Sequence, residues 1–293
     1  MFVLKKFLNS SDATVEAVSK IVPVSNEPAT CDASECHTRY SESCFKLSPA
    51  AVATPLWESA KAPELHVLVS TGKTDWSHDA FDAPNTVLAK ISQTVNGAIS
   101  KKFNISTKIN TTSLALNTNE FEAYSKQEKC DVLLLPYFVW CKGITIENCE
   151  DALTELISTF VSQQPLPETV HGCTIEKDQS KSYILLCSHR TRDKKCGITA
   201  PIMKKEFDSQ LRELELYRDP GDDRPGGVPV IFVNHVGGHK FAANVLIYNR
   251  EGEFVWFARC TPLNVKPILQ ETIGKGKVFP ELVRNARKYA VTW

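Results

Sequence analysis

From residue 65 onward, apolar residues fall into short blocks separated by polar stretches containing Gly or Pro. Leu65 to Val69 is the first block and runs into Ser70-Thr71-Gly72. A run of that length with a turn behind it predicts a buried strand. Residues 85–100 suit a helix, and Val132 to Leu135 forms a second short run stopped by Pro136. Between residues 147 and 163, Ala152, Leu153, Leu156, Ile157 and Phe160 recur at helical spacing, which predicts one buried helix face. Gln163 to Glu168 reads as a linker.

The second half repeats the alternation. Tyr183 to Leu186 predicts a strand, and Pro201 suits the first turn of a helix. Met203, Phe207, Leu211 and Leu214 then recur at steps of four, four and three. A loop rich in Gly, Pro and Asp runs from Arg218 to Pro229. Val230 to Val233, Ala243 to Tyr248 and Phe254 to Ala258 predict three more strands, and residues 280–290 a closing helix. Strand, helix, strand, hairpin strands and helix match a thioredoxin-like α/β layer. The first half reads as a degenerate relative of the same plan. The expected organisation is a polar, partly ordered tail over 1–60, an N-terminal α/β domain over 61–170, and a thioredoxin-like domain carrying the chemistry over 171–293.

Composition narrows the function classes. Of 293 residues, 42% are apolar, enough for a proper core, and 34 basic residues balance 34 acidic ones. A chain without basic excess lacks the electrostatic footprint of a nucleic-acid binder. No apolar run approaches the ~18 residues of a membrane span. Met1 to Ser11 suits a short amphipathic turn, without the long apolar core of a secretory signal or the arginines of a transit peptide. The expected location is the cytosol, with the mitochondrial matrix as the alternative. Ten cysteines in a reducing compartment point to metal ligation or redox chemistry rather than structural disulfides.

Two segments carry that chemistry. Leu186-Cys187-Ser188-His189-Arg190-Thr191-Arg192-Asp193-Lys194-Lys195-Cys196-Gly197 follows a predicted strand and reads as a polar loop bracketed by two cysteines. Such a loop folds back to offer both thiolates to one metal, and its basic residues favour the ionised thiol. Val233-Asn234-His235-Val236-Gly237-Gly238-His239-Lys240 places two histidines four apart at a strand end. Its glycines let the backbone turn so that both imidazoles point one way. Two thiolates and two imidazoles suit zinc or iron. With the cysteines on one iron and the histidines on the other, the set is that of Rieske centres. Zinc-finger cysteines stand two to four apart, whereas here eight residues lie between the cysteines and 38 between the pairs (197 to 234). Taken alone, each pair is as readily inert, and the residues leave the metal open. A thiol–disulfide oxidoreductase using Cys187 with Cys196 and a zinc-stabilised adaptor stay as alternatives.

Three stretches resemble the sucrase/ferredoxin-like family of thioredoxin-like ferredoxins: Cys-Ser-His-Arg-Thr-Arg-Asp-Lys-Lys-Cys-Gly-Ile-Thr-Ala-Pro (187 to 201), Leu-Tyr-Arg-Asp (216 to 219) and Phe-Val-Asn-His-Val-Gly-Gly-His-Lys-Phe-Ala-Ala-Asn-Val (232 to 245). Weaker likeness extends to Lys73-Thr74-Asp75-Trp76 and Leu134-Leu135-Pro136-Tyr137-Phe138. The resemblance implies a 2Fe–2S cluster ligated by Cys187, Cys196, His235 and His239, and a one-electron redox protein with an unnamed donor or acceptor protein. It also implies that Trp293, a terminal aromatic, is read by the cytosolic iron–sulfur assembly machinery, although Thr292 departs from the acidic or Ser-bearing tails of that signal.

Other signals are discounted. Ser70-Thr71-Gly72-Lys73-Thr74 ends like a phosphate-binding loop, but the required first glycine is Val67. No Cys-x-x-Cys is present. Cys31, Cys36 and Cys44 read as free thiols in the tail, with a second metal site or a switchable disulfide as the alternatives. Cys130, Cys141, Cys149, Cys173 and Cys260 sit in or beside apolar runs and read as small core residues.

Overall fold

The computed structural model describes residues 12–219, 222 and 224–290, with His239 described for its backbone only. The helices are α1 (Asp12–Ser19), α2 (Pro49–Ala53), α3 (Val87–Gln93), α4 (Ser100–Phe103), α5 (Phe121–Ser125), α6 (Cys149–Val161), α7 (Lys194–Glu213) and α8 (Val265–Pro267). The strands are β1 (Leu65–Ser70), β2 (Thr107–Thr112), β3 (Cys130–Leu135), β4 (Val139–Ile144), β5 (Thr169–Val170), β6 (Cys173–Lys177), β7 (Ser182–Cys187), β8 (Val230–Val233), β9 (Val245–Asn249), β10 (Glu253–Phe257) and β11 (Val283–Lys288). Together they make one mixed α/β sheet in the order β11-β10-β9-β7-β8-β2-β1-β3-β4-β6-β5. Among the described residues no helix is long and apolar enough to cross a membrane.

The two halves share one plan. In the first, β1 pairs parallel with β2 across the α3–α4 crossover and antiparallel with β3, which pairs antiparallel with β4. In the second, β7 pairs parallel with β8 across α7 and antiparallel with β9, which pairs antiparallel with β10. The halves meet where β2 and β8 pair through Thr112 and Val233. Cys173–Lys177 adds to the first half's β4 rather than to the strands that follow it.

The apolar runs are continuous because both faces of the central strands are covered. Alternate residues of β7 divide between two cores: Ile184 and Leu186 face α7, with Met203, Phe207 and Leu211. Tyr183, Leu185 and Cys187 face a second core shared with Leu68, Leu133 and Phe138 of the first half. A third core gathers α3 and α6 on the first half's outer face. Cys187 therefore lies where the inner faces of both halves meet.

Residues 12–60 carry structure of their own. Val18 and Val22 are buried in the α7 core, and Val24 bridges to Val278. The polar spacing of this stretch hides a few apolar anchors that cover the second half.

Two expected elements differ. Pro201 is not in the first turn of a helix but inside α7, which begins at Lys194 with Asp193 as its cap. The Asp193 side chain accepts from the Lys195 N–H at 2.9 Å, so the helix starts on its own cap before the proline. The closing helix expected over 280–290 is a strand instead. Val283 pairs with Phe257 and Asn285 with Trp256, so Arg284 is an extra residue, a β-bulge. The bulge turns Val283 and Ala286 into the same core, and their spacing of three imitates a helix face.

Candidate metal centre

Cys187 ends β7, and Cys196 lies in the first turn of α7. The segment between them is thus shorter as a loop than its sequence suggests. His235 follows β8, the parallel neighbour of β7, in register Cys187 to Val233. A parallel pair brings both strand ends to one edge, so a ligand after each strand converges on the same point. Sγ of Cys187 lies 3.7 Å from Nδ1 of His235. The donor atoms of Cys187, Cys196 and His235 all lie within 4.8 Å of one another. Both cysteines are buried, and His235 is half-buried. The backbone of His239 opens a short 3-10 turn, His239–Phe241, four residues on. Its side chain, and Trp293, lie outside the described residues.

The electrostatics favour negative charge here. The Cys187 thiol is pushed down by a hydrogen bond from Cys196, then by His235, against the opposing effect of burial. Cys196 is pushed up by the same shared proton. A bound metal ion would deprotonate both.

Two cations that sequence reasoning missed stand beside Cys187. Lys108 of β2 is pushed down to about 8 by burial, and the Cys187 charge partly restores it. Its Nζ donates to the Val236 carbonyl at 3.4 Å and sits 5.0 Å from the Trp256 ring centroid. Arg284, the bulge residue of β11, is only 2% exposed and is pushed down to about 10 by burial, again opposed by Cys187. It donates to the Gly237 carbonyl at 3.1 Å, to Asn244 Oδ1 at 2.8 Å and to the Ser59 carbonyl at 2.9 Å. The rings of Phe241 and Trp256 flank it at 4.5 and 4.7 Å. Both cations come from strands distant in sequence, and neither lies in a motif. The only available signal was a basic residue inside each future strand.

The glycines between the histidines have distinct uses. Gly238 has φ +83°, and a Cβ there would lie 2.8 Å from Arg284 Nη2 and 2.7 Å from Phe241. Outside that turn, Gly197 of α7 lets the Arg190 stem pack against the helix, where a Cβ would meet it at 2.2 Å. Arg190 and Arg192 are exposed, but His189 is buried.

The stretches outside the two ligand motifs divide. Lys73–Trp76 reaches the site: Ser188 Oγ donates to the Thr74 carbonyl at 2.7 Å, and Thr191 donates to Asp75. Leu216–Asp219 does not; Arg218 donates to the carbonyls of Arg224 and Pro225 and closes its own loop.

The sucrase/ferredoxin-like family model matches residues 56–285. "Actin patches distal protein 1" of Saccharomyces cerevisiae is 40% identical over 249 residues, 80% of this chain and 78% of that one. "Altered inheritance of mitochondria protein 32" of Clavispora lusitaniae is 30% identical over 151 residues, 52% of this chain and 51% of its own. The protein of the same name from Meyerozyma guilliermondii is 33% identical over 110 residues, 38% and 36%. This chain thus spans about half or less of those two relatives. No solved structure matches it. With a family model covering most of its length and a relative 40% identical over 80% of it, the chain belongs to the sucrase/ferredoxin-like family.

Proposed function

We propose that the protein is a one-electron redox protein holding a 2Fe–2S cluster through Cys187, Cys196, His235 and His239, on a thioredoxin-like second half. The convergence of Cys187, Cys196 and His235 within 4.8 Å carries the reading. The donor set fits: two soft sulfur donors, and imidazole from the adjacent strand. Such a cluster, when bound, supplies one-electron transfer at a potential above that of all-cysteine ferredoxins. The chain's part is to bury the thiolates, aim the imidazoles and set cations beside them.

A single zinc ion is the second reading, and one distance favours it. Tetrahedral zinc with sulfur at about 2.3 Å and nitrogen at about 2.0 Å sets the two donors about 3.5 Å apart, close to the 3.7 Å between Cys187 and His235. Burial of both Cys187 and Cys196 counts against thiol–disulfide exchange, which needs an accessible sulfur. Freshly purified protein separates the readings. A red-brown solution with iron and acid-labile sulfide in equal amounts is expected. Colourless protein with one zinc per chain selects the second reading. Colourless, metal-free protein with a Cys187–Cys196 disulfide defeats both.

A further inference from the structure

We propose that His189 is a positioning residue for His235, and that through it the first half of the chain sets the histidine arm of the site. This rests on the use of His235 as a ligand, whichever metal it serves. His189 lies two residues past Cys187 and is 1% exposed. Its ring bridges the two halves. Nε2 lies 3.1 Å from the Trp76 carbonyl. A carbonyl only accepts, so Nε2 carries the hydrogen. Nδ1 of the neutral ring is then an acceptor, and the His235 backbone N–H donates to it at 3.2 Å.

The far end of this bridge is itself fixed. The Trp76 indole donates to Thr71 Oγ1 at 3.0 Å, and that hydroxyl donates to the Thr112 carbonyl of β2 at 2.6 Å. The Trp76 ring stands edge-on to His189, with centroids 5.8 Å apart. The residue before the ligand is tied to the same half. The Asn234 N–H donates to the Thr111 carbonyl at 3.0 Å, and the Asn110 amide donates to the Asn234 side chain and to its carbonyl. The backbone at 234–235 is therefore anchored to β2 and to the Trp76 loop. After it come Gly237 and Gly238, both at positive φ. A ligand arm running into such a turn needs its aim fixed from the strand side, as outer partners fix ligating imidazoles elsewhere.

An imidazole suits the place because it offers a donor and an acceptor on opposite sides of one rigid ring. The amide oxygen of Asn can stand in for Nδ1 and the amide nitrogen of Gln for Nε2. His189→Asn thus keeps the bond from His235, His189→Gln keeps the bond to Trp76, and His189→Ala keeps neither. Hydrogen exchange of the peptide spanning 233–238, followed by mass spectrometry in the full chain as purified, reads the bond directly. Exchange at the His235 amide should speed up about tenfold in His189→Gln and His189→Ala, the loss of roughly one hydrogen bond, and stay near wild type in His189→Asn. Metal release to a chelator should follow the same order, with melting temperatures level between Asn and Gln. Equal exchange in Asn and Gln, or no change in any variant, overturns the proposal. If His189→Ala fails to fold, the Asn–Gln comparison still decides. Wild-type protein without metal would sink the functional reading while leaving the exchange comparison to judge His189.

Discussion

Arg284 donates to the carbonyl of Gly237 at 3.1 Å, so a bulge in the last strand holds the turn between the two candidate histidines. The same guanidinium reaches Ser59 of the N-terminal segment. A planar fork with fixed donors can serve all these acceptors at once, and an ammonium cannot. Arg284→Lys should therefore destabilise the fold by about 2 kcal/mol or more, because buried carbonyls lose their donors. Gly238→Ala should act on the same contact from the other side by forcing a Cβ against Arg284 and Phe241. Chemical denaturation with far-UV circular dichroism checks both. A midpoint unchanged in either variant would remove Arg284 as the brace.

Lys108 places a positive charge near Cys187. Reduction adds one negative charge to the site, and a nearby cation stabilises that state. Lys108→Met should lower the midpoint potential by something on the order of tens of millivolts. Spectroelectrochemical titration of the coloured protein measures the shift. An unchanged or raised potential would separate Lys108 from the redox site.

Imidazole ligands tie the electron to a proton. A non-ligating ring nitrogen binds its proton more tightly once the iron is reduced, so the potential should fall as pH rises. One proton per electron gives a slope approaching about 59 mV per pH unit. A potential flat between about pH 6 and about pH 9 would remove this coupling. Replacing His235 or His239 with Cys should keep the colour and lower the potential, since thiolate adds negative charge.

His66, on β1, is fully buried between Tyr248 at 2.9 Å and Asn110 at 2.8 Å. Burial first, and the Lys108 charge second, push its pKa down to about 3 from an ordinary 6.5. Below about pH 6.5 the unfolded chain takes up a proton there that the folded chain refuses. Stability should decline as pH falls from about 6.5 towards 3, by up to about 1.4 kcal/mol per pH unit from this group. Urea midpoints at neutral and mildly acidic pH should show this. His66→Gln should flatten the slope while keeping part of the network. An equal slope in the variant would assign the acid sensitivity elsewhere.

The legible parts of this molecule were local. Leu65–Val69, Val132–Leu135 and Tyr183–Leu186 announce strands because burial on both faces demands unbroken apolar runs. The ligand motifs are legible because each packs its chemistry into a few consecutive residues at a strand end. Thr107–Thr112 has no apolar run to announce it: Thr-Lys-Ile-Asn-Thr-Thr buries Asn110 and Thr112 on hydrogen bonds to Asn234 and to the Val69 carbonyl instead. Val283 to Lys288 was misread because an unseen bulge gave a strand helical spacing. Lys108 and Arg284 carry no signal beyond their own charge: the order of strands in the sheet, not any spacing, brings them to Cys187.

Every ligand proposed here belongs to the second half, yet that half does not end cleanly at β8. The N–H and C=O of Phe232 are met by Ser113, and the N–H of Asn234 by Thr111. Cut away from its companion, the ligand-bearing half would present an open strand edge lined by Ile231 and Val233, an invitation to pair with any passing chain. The first half, which supplies none of the proposed ligands, is in this sense the cover that keeps that edge from other strands.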